Sequence, residues 1–150
     1  MENFNFRIIT EKEFEKLEST LIFSDKNDRS FGEISFLDKK FKFSWHSEIV
    51  LPIIKQIDHN AFGIGIDLNF VLIDLNKREI LLNLKLDNYF MDFVMHNENI
   101  YVAAQTYIIQ IEIKGCKIIK EYGLPEFFNE FILEGNTIRV QCIDNEIVDL

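Results

Sequence analysis

The stretch LDNYFMDFVMHNENIYV, residues 86–102, returns 38 residues later as LPEFFNEFILEGNTIRV, residues 124–140, without a gap. Leu, Phe, Phe, Ile and Val recur identically, and Tyr/Phe, Asp/Glu, Val/Ile and Met/Leu are close exchanges. Self-similarity at a fixed period of this size marks a repeated supersecondary unit. A weaker third copy begins at Leu51-Pro52 and ends in Ile64-Gly65-Ile66. Its segment Ile64–Leu75 matches Ile100–Ile111 at a shift of 36.

Inside each unit the apolar residues fall at a period of two, which is the pattern of half-buried strands. Strands are expected near Gly63–Asp67, Phe70–Leu75, Glu79–Leu86, Phe90–Met95, Ile100–Ala104 and Tyr107–Ile113. Others are expected near Lys117–Glu121, Phe128–Leu133, Thr137–Ile143 and Ile147–Leu150. The links between them are short and rich in Asn, Asp and Gly, such as Asn76-Lys77, Lys114-Gly115 and Gly135-Asn136. Links this short join antiparallel neighbours, because parallel strands need long crossovers. Each unit of 35 to 38 residues thus holds about four short strands.

That arrangement resembles a β-propeller blade. A closed propeller needs at least four blades, and the repeat accounts for about two and a half. The expected fold is therefore mainly β: an antiparallel meander of propeller-blade-like sheets, not a closed propeller, with one short N-terminal helix. Three ways of burying the sheets are open: two blade-like sheets face to face, one curved sheet under the helix, or pairing between chains. The final strand would leave an edge free for such pairing.

The chain reads as a single domain of 150 residues, with an N-terminal strand, helix and hairpin in 1–50 and the repeated meander in 51–150. A first strand is expected at Phe4–Ile9. Thr10-Glu11-Lys12-Glu13 has the pattern of a capping box, and Phe14, Leu17 and Leu21 follow at helical spacing, predicting a helix from Glu11 to Ser19. Asp25-Lys26-Asn27-Asp28 reads as a polar turn, since Arg29 at a ligand position and a misplaced glycine spoil a calcium loop. Phe31–Phe36 and Phe41–Trp45 alternate around Asp38-Lys39-Lys40 as a hairpin. Composition agrees: 23 Ile and 15 Phe stand against three Ala, which leaves little material for a helical bundle.

The net charge is −9, and no basic block is available to collect phosphates. Binding to nucleic acid or to an anionic membrane is therefore not expected. No apolar run approaches the roughly 18 residues that cross a bilayer. The two cysteines, Cys116 and Cys142, fit free thiols of a reducing cytoplasm better than a disulfide framework. Two-thirds of the excess charge sits in the last fifth of the chain, where Arg139 alone opposes Glu121, Glu126, Glu130, Glu134, Asp144, Glu146 and Asp149.

Catalytic patterns are missing from the sequence. His46, His59 and His96 fall in separate turns or strand ends, with no second His or Cys at ligand spacing, so neither a metal nor another cofactor is expected. Gly63-Ile64-Gly65 opens a strand and not a helix, so it marks a close neighbour and not a phosphate cradle. Asp67, Asp74, Asp87 and Asp144 lie beside turns and read as turn formers. No Gly-x-Ser-x-Gly, His-Glu-x-x-His or Walker pattern occurs.

What remains is an acidic surface. Glu126, Glu130 and Glu134 surround the aromatic cluster Phe127-Phe128-Phe131, and Glu146 follows close behind. Glu126, Phe128, Glu130, Glu134 and Glu146 are the expected partner contacts, with an aromatic anchor ringed by charge. Small, acidic, β-rich and without catalytic motifs, the chain is similar in general character to immunity proteins of bacterial toxin systems. That resemblance implies a non-catalytic cytoplasmic protein that binds and neutralises a basic toxin. The alternatives are a structural or regulatory repeat module that self-associates, and a small-ligand binder with a site assembled only in space.

Overall fold

The computed structural model describes residues 4–150. It contains one helix, α1 (Glu11–Lys16), and fifteen strands. In chain order the strands are β1 (Phe4–Ile9), β2 (Thr20–Leu21), β3 (Ser30–Phe36), β4 (Lys39–Trp45) and β5 (Ile53–Gln56). They continue as β6 (Ala61–Ile66), β7 (Asn69–Asp74), β8 (Glu79–Lys85), β9 (Phe90–His96) and β10 (Asn99–Ala104). The last are β11 (Tyr107–Glu112), β12 (Lys117–Gly123), β13 (Phe128–Glu134), β14 (Thr137–Cys142) and β15 (Ile147–Asp149).

Four small sheets result, in the orders β1-β3-β4-β2, β5-β6-β7-β8, β9-β10-β11-β12 and β13-β14-β15. All neighbours are antiparallel except β2 and β4. The last three sheets are the repeat: mainly β, a meander of blade-like sheets, as the alternation in the sequence implies. The N-terminal strand, helix and hairpin region contributes a sheet of its own.

Backbone hydrogen bonds fix the period at 38 throughout. Leu86 N–H donates to the Leu68 carbonyl and Leu124 N–H to that of Thr106; Phe90 donates to Asp67 and Phe128 to Gln105. The shift of 36 between Ile64–Leu75 and Ile100–Ile111 is therefore a slip of one pleat. A two-residue slip keeps every side chain on its own face, so the sequence pattern alone scores both shifts alike.

The repeated Phe-x-x-Phe also has a structural cause. The register shifts opposite Ala103/Ala104 in one unit and between Phe128 and Glu130 in the next. Each shift is a β-bulge, which adds one residue and lets two phenylalanines three apart face the same side. Phe90 and Phe93 thereby point one way, and so do Phe128 and Phe131.

The sheets bury themselves in a row. One apolar cluster joins the first sheet to the second through Ile34, Phe36, Phe41, Phe43 and Trp45 against Phe62, Ile64, Ile66 and Val71. A second joins Phe70 and Leu72 to Phe93, Ile100 and Val102 of the third. A third joins Tyr101, Ala103 and Ile108 to Phe128, Ile138 and Val140 of the fourth. Among the described residues no such cluster joins the first sheet to the last. β6 is buried at all six positions because alternate residues serve opposite neighbours. On its far side Gly63 and Gly65 leave room for the rings of Phe93 and Phe90. The Gly-Ile-Gly motif is thus a close approach of two sheets.

At the N-terminal end of the row α1 roofs the outward face of the first sheet. Glu13 N–H donates to the Thr10 hydroxyl at 3.1 Å, as the capping box requires. Phe14 packs on Phe31 with ring centroids 5.1 Å apart. The helix ends at Lys16 and not at Ser19, because Leu17 is already extended and Thr20-Leu21 is drawn into pairing with β4. Lys42 Nζ donates to the carbonyls of Phe14 and Leu17, which the helix end leaves unpaired.

Candidate functional site

Among the described residues no helix lies over the opposite end of the row. Register places Glu130, Gln141 and Ile147 side by side across the last sheet, then Ile132, Arg139 and Asp149, then Glu134 with Thr137. These residues form its outward face. Phe128, Phe131, Val140, Cys142 and Val148 form the inward face against the third sheet. The bulge after Phe128 sets this division. Without it, a strict period of two would have put Glu130 on the same side as Phe128.

Charge on the outward face is mainly negative. Arg139 is its one cation, and it is shared: Nη2 meets Glu134 Oε2, and Nε lies 3.9 Å from Asp149 Oδ1. Glu134 and Asp149 remain exposed, the latter 89% so along its side chain. Exposed pairs of this kind contribute little to stability, about 0–1 kcal/mol, so their value lies in the field they present.

The five residues expected to contact a partner separate into three groups. Glu130 and Glu134 lie on the outward face. Glu126 and Glu146 stand at one rim, where Ile143 N–H donates to the Phe127 carbonyl and holds the two segments together. Glu126 also accepts from the Phe127 amide at 3.0 Å. Phe128 is a correction: it is 3% exposed and packs on Phe131 at 4.9 Å, so it belongs to the core. The exposed aromatic is its neighbour Phe127, at 48%. Arg139, Gln141, Ile132 and Ile147 complete the face, and only the pairing register reveals them.

A concavity lies where β4 hands over to the repeat. A cleft of about 500 Å³ is lined by His46, Ser47, Val50, Asp67, Tyr89 and Met91, among others. Asp67 does not cap its own turn. One of its carboxylate oxygens accepts the amides of His46 and Ser47 at 2.8 and 3.1 Å, tying the first sheet to the second. Asp74 and Asp144 behave as turn formers, accepting from Lys77 and Glu146. His46 Nδ1 lies 3.2 Å from the Asn27 carbonyl oxygen, and His96 Nε2 lies 3.0 Å from that of Asn136. Among the described residues no group of three or more His, Cys, Asp or Glu is placed to hold a metal ion. Burial pushes both thiols, Cys116 and Cys142, up from the ordinary range. Among the described residues no helix is long and apolar enough to cross a membrane.

Neither a family model nor a curated protein sequence matches the chain. Solved structures do. The computationally designed Ika4 protein superposes with a TM-score of 0.61 at 13% identity, over 91% of this chain and 93% of that one. Kluyvelomyces marxianus Hsv2, a β-propeller, gives 0.51 at 16% identity, over 85% of this chain. A form of KlHsv2 with loop 6CD replaced by a Gly-Ser linker also gives 0.51, at 14% identity. The likeness is one of fold. The chain spans about half the length of the Hsv2 structures, covering 46% and 47% of them, and matches them as a propeller-like row of sheets.

Proposed function

We propose that this chain is a non-catalytic protein-binding β domain, and that the outward face of its last sheet is the contact surface. The observation that carries the reading is the asymmetry of the two ends. α1 packs on the outward face of the first sheet, with Phe14 on Phe31 and Lys42 at its end, whereas among the described residues no helix lies on the last sheet's outward face, which bears Glu130, Glu134 and Asp149 around a single arginine. The Glu126 and Glu146 rim adds to the same sign. Such a surface steers a basic protein toward it and sets orientation through complementary charge. Phe127, exposed at the edge of the acids, supplies an apolar anchor.

The finer reading is an immunity protein in the cytoplasm, with a basic toxin as the partner. Its test begins with the reading frames beside this gene. A neighbouring frame that encodes a toxin-sized basic protein supplies the titrant for calorimetry. Binding should be one to one and should weaken as salt is raised. Reversing Glu130, Glu134 and Glu146 to Lys should weaken it by roughly tenfold or more. Affinity indifferent to both salt and charge reversal removes this face from the account. Neighbouring frames that encode no binding protein remove the immunity role.

A further inference from the structure

Antiparallel alternation puts the links between successive sheets on one side of the row, together with a hairpin turn from each of the middle sheets. The links are residues 46–52, 86–89 and 124–127, and the turns are 67–68 and 105–106. Amides of His46, Leu86 and Leu124 donate to Asp67, Leu68 and Thr106, which holds links and turns side by side. The period of 38 sets Leu51, Tyr89 and Phe127 at the same position of the three links. Each stands at a junction with a sheet on either side, yet they remain 63%, 56% and 48% exposed. Ile49, Val50 and Leu68 are exposed on the same side. The turns of the opposite side are 37–38, 57–60, 75–78, 97–98, 113–116 and 135–136. Among the described residues they expose one large apolar side chain, Leu37. Single exposed apolar residues are ordinary, but a position repeated at every junction and confined to one side marks an interaction surface.

Charge divides the two sides as well. The links and turns of the apolar side carry Glu48, Asp67, Asp87 and Glu126 and no Lys or Arg. The opposite turns are balanced, with Lys77, Arg78 and Lys114 against Asp38, Asp58 and Glu98. Cations flanking the acidic side are engaged: Arg29 lies 3.7 Å from Glu48, and Lys85 donates to Asn69 at 2.8 Å. Lys26 stands in a turn between Asp25 and Asp28. The cleft of about 500 Å³ opens here, with Val50, Tyr89 and Met91 as apolar wall and Asp67 and Gln105 as polar wall. A smaller cleft of about 290 Å³ adjoins it at His46, Asp67 and Tyr89. A second copy docked side to side would set these carboxylates against their own kind, and an anionic lipid surface would be repelled by them. A basic segment with apolar side chains meets both features. We propose that the side of the row formed by the links docks such a segment of a partner protein. One apolar side chain enters the cleft against Tyr89 and Met91, and the cations pair with the link carboxylates. This rests on the protein-binding role proposed above and extends its surface, which it meets at Glu126 and Phe127.

A short peptide of alternating Lys and Leu is a direct probe, titrated at low salt into methyl-labelled protein and followed by NMR. The methyl groups of Val50, Leu51 and Met91 should shift saturably, and added salt should weaken the binding. Leu51→Ser with Tyr89→Ser should weaken it roughly tenfold or more, with unchanged Trp45 emission as the check on folding. Where that emission moves, Glu48→Lys with Asp87→Lys, both at exposed positions, should give the same loss. Glu130→Lys with Glu134→Lys should leave the three methyl shifts in place. Shifts confined to Ile132 and Ile147 overturn this docking surface and leave the outward face of the last sheet, and with it the protein-binding role, standing. No shift at either place overturns the docking surface, while the role itself is decided by the calorimetry described above. A peptide of alternating Ser and Leu that binds as tightly overturns the basic occupant. A species of twice the mass that the Leu51 and Tyr89 variant abolishes assigns the side to a second copy. Retention on vesicles of phosphatidylcholine and phosphatidylserine, lost in that variant, assigns it to a membrane. Either result overturns the proposal.

Discussion

The ring of Phe90 fills the space that a side chain at Gly65 would need. A Cβ there would lie 2.2, 2.3 and 2.4 Å from three of its carbons. Gly65→Ala should therefore destabilise the protein by about 1–3 kcal/mol, the usual cost of forcing an extra carbon into a packed core. Urea unfolding measures this, and adding Phe90→Leu should recover part of the loss. A variant as stable as the wild type would show that the second and third sheets are not locked at this point.

Asp67 is the tie between the first two sheets, holding the amides of His46 and Ser47 from a residue whose own φ is +53°. Asp67→Ala strands both donors and places alanine in left-handed backbone. The loss should be about 1–3 kcal/mol. Asp67→Asn, which keeps an accepting oxygen and tolerates that backbone, should cost less than half as much. Trp45, the single tryptophan, gives the readout: it is 1% exposed and donates to the Val50 carbonyl in the same loop. Its emission should shift to the red in Asp67→Ala if the loop opens. Equal stability of the two variants would contradict the tie.

Lys42 ends α1 by donating to two of its carbonyls, at 2.8 and 2.9 Å. It also lies directly across from buried Glu33, which Arg7 Nε meets at 2.9 Å. Lys42→Met keeps the stem and loses the donors. Stability should fall by about 1–3 kcal/mol, the range for hydrogen bonds to a charged group. Amides of residues 13–17 should exchange faster than in the wild type. Unchanged exchange there would mean that Phe14 packing alone holds the helix.

The thiols should be slow to react. Cys142 is fully buried, Cys116 half-buried, and burial pushes both up, so at neutral pH both are protonated. A thiol-modifying reagent should label Cys116 slowly and Cys142 only on unfolding. The sign of the linkage follows. An unfolded thiol ionises near pH ~8.5, before the folded one does, so stability is complete below that pH and declines as pH rises through it. Rapid labelling of both cysteines at pH 7 would contradict their placement.

The strand order was legible because Ile and Phe at period two, broken by Asn-Asp-Gly turns, leave few alternatives. The helix was legible at its start, where Thr10 and Glu13 carry local chemistry. Its end was not, because Thr20 and Leu21 answer to β4 more than twenty residues away. β5 carries no alternation of its own, since Lys55 and Gln56 interrupt its apolar run, and Lys55 is explained only by its bond to Asp92 in the next sheet. The acidic surface could be located in the chain from charge alone. Which of its residues face outward depends on one bulge after Phe128, and a bulge adds no residue type that a sequence would flag. For the same reason Phe128, singled out as an anchor, turned inward while Phe127 stayed at the surface.

A row of sheets whose two ends share no core loses its order directionally. Each sheet is buried only by the one before and the one after, so the molecule behaves as a short linear array with nearest-neighbour coupling. The inner sheets can open only after an end has gone. The helix clamps one end, and the other has three strands, one apolar neighbour and a self-repelling face. Fraying therefore begins at the last sheet and travels backwards through the chain, and the hold of the third sheet on the fourth governs the persistence of the whole row.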